Sequence, residues 1–162
     1  MNLHHPKWLL LGLALAATTS VAGSAHFVRG PDASLNSQTG DLTVTWKEAG
    51  LGDSQNVDCV ASAVAAATYQ CVNRGGKCPS ASNKQDVMGS VSASGTFSSG
   101  RNGSINASLT FDPPPSTLNC PGNQVRKLVS VSYTGIVLAD TTNNVVAAAD
   151  PDRLAMAGPE CP

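Results

Sequence analysis

The sequence predicts an all-β protein, an antiparallel β-sandwich of the immunoglobulin-like kind with about six or seven strands. Three observations carry this. Apolar residues alternate with serine, threonine and charged residues over several short runs. Glycine, asparagine and proline clusters separate those runs. At 162 residues there is room for one modest core and little more.

The runs follow in chain order. In Asp41–Glu48, Leu42, Val44 and Trp46 alternate with Thr43, Thr45 and Lys47, the period of a half-buried strand. Gly50, Gly52 and Asp53 end it. Val57–Val72 keeps Val57, Cys59, Ala61, Ala63, Ala65, Ala67, Tyr69 and Cys71 on one parity. Its alanine content also suits a helix, but its neighbours are strands, so a long or broken strand is expected. In Gly89–Phe97, Val91, Ala93 and Phe97 alternate with serines. A turn at 98–103 then leads to Ile105, Ala107, Leu109 and Phe111, and the pair reads as a hairpin. Three prolines from Pro113 stop the second strand, since proline cannot donate to a ladder. Leu128–Ala139 is the most β-rich run. Its second half is apolar on both parities, as in a central strand. Val145–Ala148 can pair back onto it after an Asp140–Asn144 loop. Six or seven strands with turns between them are the pattern of a sandwich.

The first 25 residues read as a secretory signal peptide: Lys7, the apolar run Trp8–Ala17, then small residues up to Ala25. The run is too short to span a bilayer. A cut after Ala25 leaves His26 first, and a cut after Ala22 leaves Gly23. The expected organisation is therefore a signal at 1–25 and one secreted domain at 26–162. The C-terminus has no hydrophobic tail, so no membrane anchor is expected. Loss of Lys7 moves the net charge from −1 to −2. Charged residues are only 13% of the chain, with no basic face or arm, which argues against a nucleic-acid partner.

In an oxidising compartment, Cys59, Cys71, Cys78, Cys120 and Cys161 are disulfide candidates. Cys71 to Cys78 closes a small loop easily; Cys71 to Cys120 competes. Five is odd, so one thiol is left over. It is a buried free cysteine, a weakly ordered Cys161, or the link of a disulfide-bonded dimer.

Catalytic constellations are scarce. His4 and His5 leave with the signal, so His26 is the one mature histidine, which excludes a Ser-His-Asp or Cys-His triad. At the N-terminus His26 is a weak copper candidate that lacks a second histidine. Asp53 and Asp58, in an oxygen-rich stretch from Gly50, are weak calcium candidates without the EF-hand pattern. Glycosidase chemistry needs two carboxylates across a cleft. Glu48 and Glu160 are the only glutamates, and Asp41, Asp53, Asp58, Asp86, Asp112 and Asp140 read as solvated turn or strand-end residues. Asn102-Gly103-Ser104 and Asn106-Ala107-Ser108 are glycosylation sequons. No cofactor is expected.

The stretches Gly40–Val44, Lys47–Gly52, Ser94–Phe97 and Pro113–Pro121 resemble a group of small secreted microbial proteins of unknown function. That resemblance implies secretion and a single domain, and it transfers no catalytic residue. The expected protein is thus a secreted, non-enzymatic sandwich that binds an extracellular protein, glycan or surface, in adhesion, wall association or an effector role. The alternatives are a polysaccharide-active enzyme or carbohydrate-binding module, and a structural wall or matrix component. Several aromatic rings in a row would mark a sugar-binding face. Trp46, Tyr69 and Tyr133 fall instead on core parities.

Overall fold

The computed structural model describes residues 24–73, 75 and 83–157. The signal-peptide reading, apart from Ser24 and Ala25, lies outside them, as do Cys78 and Cys161. Eight strands are described: β1 (His26–Leu35), β2 (Leu42–Ala49), β3 (Asn56–Val72), β4 (Lys84–Ser98), β5 (Ser104–Phe111), β6 (Val125–Asp140), β7 (Val145–Ala148) and β8 (Arg153–Ala157). They form an antiparallel β-sandwich. One sheet has the order β1-β2-β5; the other has the order β4-β3-β6-β7, with β8 also paired to β6.

Period two builds the core. Leu42, Val44 and Trp46 of β2 and Ile105, Leu109 and Phe111 of β5 point inward from the smaller sheet. Val57, Cys59, Ala61, Ala63, Ala65 and Ala67 of β3 and Val131 and Tyr133 of β6 meet them from the larger one. The alanine row on β3 leaves room for the rings across the gap, the large-against-small matching that dense packing requires. Trp46 meets Phe97 edge to face at 5.2 Å between centroids, and Phe111 meets Tyr133 at 6.1 Å. The Tyr133 hydroxyl donates to the Gly40 carbonyl at 2.7 Å, so its polar end is satisfied inside the core.

The expected long strand at 57–72 is present as β3, unbroken over 17 residues. The expected hairpin at 89–111 is not. β4 and β5 are consecutive but lie in different sheets, β4 paired to β3 and β5 to β2. The connecting residues explain why. Ser99 Oγ donates to the Gly52 carbonyl at 2.7 Å and accepts from Gln55 N. Leu51 N and Ser54 N donate to the Gly103 and Gly100 carbonyls. The turn at 99–103 therefore bonds to the 50–55 connection, which also passes between sheets. Two arches lie side by side and close one end of the sandwich.

The strand count also exceeds the expectation. In β1 the register slips twice between Phe27 and Asp32, so no clean alternation marks it as a strand. β8 is five residues of partly buried Leu154 and Met156 between exposed neighbours. Ala33 N to Asp150 O and Asp150 N to Pro31 O tie β1 to the segment between β7 and β8 and close that side.

One irregularity positions the site described below. Ser62 opposes Val137 while Val64 opposes Thr134, so β6 carries an extra residue against β3. Gly135 sits there at φ 62°, a left-handed conformation that glycine adopts without a Cβ penalty. The bulge changes which parity faces inward. Before it Val131 and Tyr133 are buried; after it Ile136, Leu138 and Asp140 are.

Candidate functional site

Among the described residues two places hold chemistry, one sealed and one open. The sealed one lies near the arched end of the core. Glu48 continues the inward parity of Leu42, Val44 and Trp46 on β2 and is wholly buried. Asp140 is delivered inward by the Gly135 bulge and is 1% exposed. The reading of Asp140 as a solvated turn residue is therefore corrected. Cys59, the β3 partner of Asp140 across the ladder, is buried beside them.

The two carboxyls have different surroundings. Asp140 Oδ1 accepts from Thr142 N at 2.8 Å and Asn143 N at 2.9 Å, and Oδ2 accepts from Asn143 Nδ2 at 2.6 Å. These bonds shape the turn that follows β6. Among the described residues Glu48 as a carboxylate has no donor at either oxygen. As an acid it has an acceptor, since the Asp140 carboxyl lies within hydrogen-bonding reach. Burial first, and then the Asp140 hydrogen bond and charge, push the Glu48 carboxyl up to about 8. Glu48 is thus protonated at neutral pH, which removes the cost of an unpaired buried charge.

Burial, followed by the charges of Glu48, Asp140 and Asp58, pushes the Cys59 thiol up to about 12. A thiol held neutral and covered is a poor nucleophile. In the folded protein at pH 8, an alkylating reagent is expected to leave Cys59 unmodified, and in denaturant to modify it fully. Peptide mapping separates Cys59 from Cys78 and Cys161. Labelling of native Cys59 within minutes would show that the core is open there.

Cysteine pairing is now assigned for two of the five candidates. Cys71 on β3 is bonded to Cys120, so the Cys71–Cys78 alternative is corrected. Cys59 is also removed from the bridge candidates, because it carries a free thiol on the inward face of β3. Sealed there, it cannot link a second chain while the sandwich is closed.

The structure scatters the weak metal candidates. His26 is exposed at the start of β1, its Nδ1 donating to the Ser24 carbonyl at 2.8 Å. Asp53 accepts from Ser54 Oγ inside its turn, and Asp58 accepts from Thr96 Oγ1 on the open face of β3. Among the described residues no three histidine, cysteine or acidic groups converge as a metal site. Asn102 and Asn106 are both exposed, Asn102 in the 99–103 turn and Asn106 on the open face of β5.

The open place is the outer face of the larger sheet. Cross-strand pairing aligns Met88, Ala66, Ser132 and Ala155 in one row across β4, β3, β6 and β8. Asp86, Thr68, Ser130 and Ala157 form the next row. These residues line a depression of about 520 Å³. Its floor is short side chains, and Met88, 76% exposed, stands at one side. Thr68 Oγ1 donates to Asp86 Oδ1 at 2.7 Å. Exposed Val64 continues the apolar surface beyond it.

No family model, curated protein or solved structure matches the chain. The site therefore rests on its own chemistry. The sealed cluster has acids and a thiol but no path for a substrate. The open depression has a path, but among its described lining residues a single carboxyl, Asp86.

Proposed function

We propose that the protein is a secreted, non-enzymatic β-sandwich that binds an extracellular partner or surface through the outer face of its larger sheet. The observation that carries this reading is the pair of small-residue rows, Met88-Ala66-Ser132-Ala155 and Asp86-Thr68-Ser130-Ala157, that floor an open depression four strands wide. Short side chains on a rigid sheet lose little entropy when covered. An exposed methionine at the margin adds a soft apolar contact that adapts to its partner. Catalysis is poorly served by the same face, because Asp86 has no second acid or base beside it among the described groove residues. No aromatic ring is among the described residues that line the depression, which favours a protein or an apolar-faced polymer over a sugar stacked on rings.

The test is retention on defined surfaces: chitin, cellulose and glucan beads, beside immobilised extracellular-matrix protein. Ala66→Arg places a long cation across the floor of both rows without touching the core face of β3. It is expected to reduce retention at least tenfold while the thermal unfolding curve stays within a few degrees of wild type. Retention unchanged by Ala66→Arg would move the binding surface elsewhere. Turnover of any glycan would make the protein an enzyme.

A further inference from the structure

The sealed acids do more than fill space. They join the two sheets, Glu48 from β2 and Asp140 from β6, and Asp140 in turn holds the surface turn after β6. That turn grips the larger sheet as well. Thr141 N and Oγ1 donate to the Asp58 carbonyl at 2.9 and 3.0 Å, and Thr142 Oγ1 accepts from Asp58 N at 2.9 Å. A change at the acid pair therefore reaches the surface through one residue.

We infer that Glu48 and Asp140 form a one-proton clasp between the sheets, and that losing this proton loosens the Thr141–Asn144 turn.

The hydrogen-bond inventory places the proton. Among the described residues three N–H groups are aimed at Asp140 and none at Glu48, so Glu48 is the donor and Asp140 its acceptor. When the proton leaves, two negative carboxylates face each other in the buried space between the sheets, where their repulsion is poorly screened. The groups around them offer no relief. From β1, β5 and β7 the ladder neighbours are Phe27, Ile105 and Val145, all apolar. From β3 comes Cys59, neutral over the ordinary pH range, while the Asp58 side chain turns to the open face of the sheet, where it accepts from Thr96 Oγ1. The repulsion is relieved by turning Asp140 outward, which surrenders its bonds to Thr142 and Asn143.

The sign of the pH dependence follows. The Glu48 carboxyl titrates near 4.5 in the unfolded chain and at about 8 in the folded one. The folded state holds the extra proton, so the contribution is fully present below about 4.5 and is lost as pH rises through about 8. Most proteins lose stability toward acid, because paired carboxylates must protonate. This pair works in the opposite direction.

The experiment follows amide resonances of Thr142 and Asn143 from pH 5 to 10, in wild type and Glu48→Gln, with denaturant midpoints measured at each pH. In wild type these resonances are expected to shift with one midpoint near 8, and the denaturant midpoint to fall up to that pH and then level. In Glu48→Gln, whose amide can still donate to Asp140, the resonances should stay fixed through pH 8 and the decline should disappear. Infrared spectra of wild type guard against a variant that does not fold. A protonated-carboxyl band present at pH 7 and absent at pH 10 supports the clasp. Its absence at pH 7, or resonances that shift alike in both proteins, overturns it.

Discussion

Replacing both Cys71 and Cys120 by alanine is expected to lower the unfolding free energy by about 4 kcal/mol. The bridge spans 49 residues, and it is their closure entropy that the unfolded chain regains. The bond is placed where little else holds. It ties the end of β3 to the segment between β5 and β6, which has no strand of its own. That segment is otherwise held by side chains. Tyr69 Oη donates to the Pro114 carbonyl at 2.8 Å, and Arg126 Nη1 donates to the Ser116 and Leu118 carbonyls at 2.7 and 3.3 Å. Ser116 Oγ and Gln85 Nε2 add bonds to Gln85 Oε1 and Thr117 Oγ1, and Asn83 Nδ2 donates to Gln124 Oε1. Hydrogen bonds of this kind contribute about 1 kcal/mol each, and less where water competes. Domains of this size are stable by only about 5–15 kcal/mol, so the bridge supplies a large share. The check is urea unfolding of Cys71→Ala/Cys120→Ala against wild type, followed by Trp46 fluorescence. Alanine is preferred to serine because Cys71 is fully buried and a hydroxyl there would lack a partner. The midpoint should drop with the slope nearly unchanged. A loss below about 1 kcal/mol would mean that the side-chain contacts hold the segment unaided.

The fold was legible where each strand has one wet face. Alternation in β2, β4 and β5 identified the strands and their inward residues, because burial on one side imposes period two. It could not identify partners. A glycine-rich connection between two alternating strands looks alike whether it closes a hairpin or arches between sheets. Here the deciding contacts, Ser99 to Gly52 and Gln55, bridge more than forty positions. Glu48 was legible in principle, for it continues the parity of Leu42, Val44 and Trp46 as a charged residue on a buried face. Asp140 was not. Its burial depends on the extra residue at Gly135, and β6 is apolar on both parities there, so nothing in the pattern marks the switch. The outer depression was hidden for another reason. It is a row across four strands distant in sequence, and only the register brings Met88, Ala66, Ser132 and Ala155 into line.

Trp46→Ala is expected to cost about 3–5 kcal/mol, comparable to the disulfide and arising from a different cause. Trp46 is the largest fully buried side chain, 2% exposed, and it packs edge to face on Phe97 across the gap between sheets. Its removal leaves a cavity that the strands on either side cannot collapse to fill, since both belong to regular ladders. The indole carries a further signature. Among the described residues Trp46 Nε1 has no hydrogen-bond partner, so deleting the N–H forfeits no bond there. Trp46→Phe, which keeps a ring and loses the N–H, should therefore cost far less than Trp46→Ala. For a tryptophan whose N–H is bonded inside a core, the phenylalanine variant would carry an added penalty of about 1–3 kcal/mol for the orphaned acceptor. The ring contact itself is separable. A double-mutant cycle with Phe97→Leu should give a coupling of about 0.5–1.5 kcal/mol, the range of edge-to-face pairs. Unfolding must be followed by circular dichroism, because the variants remove the fluorophore in the core. If Trp46→Phe and Trp46→Ala lose equal stability, the indole N–H has a partner and the volume argument is wrong. If neither loses more than about 1 kcal/mol, the two sheets are not held together through this ring.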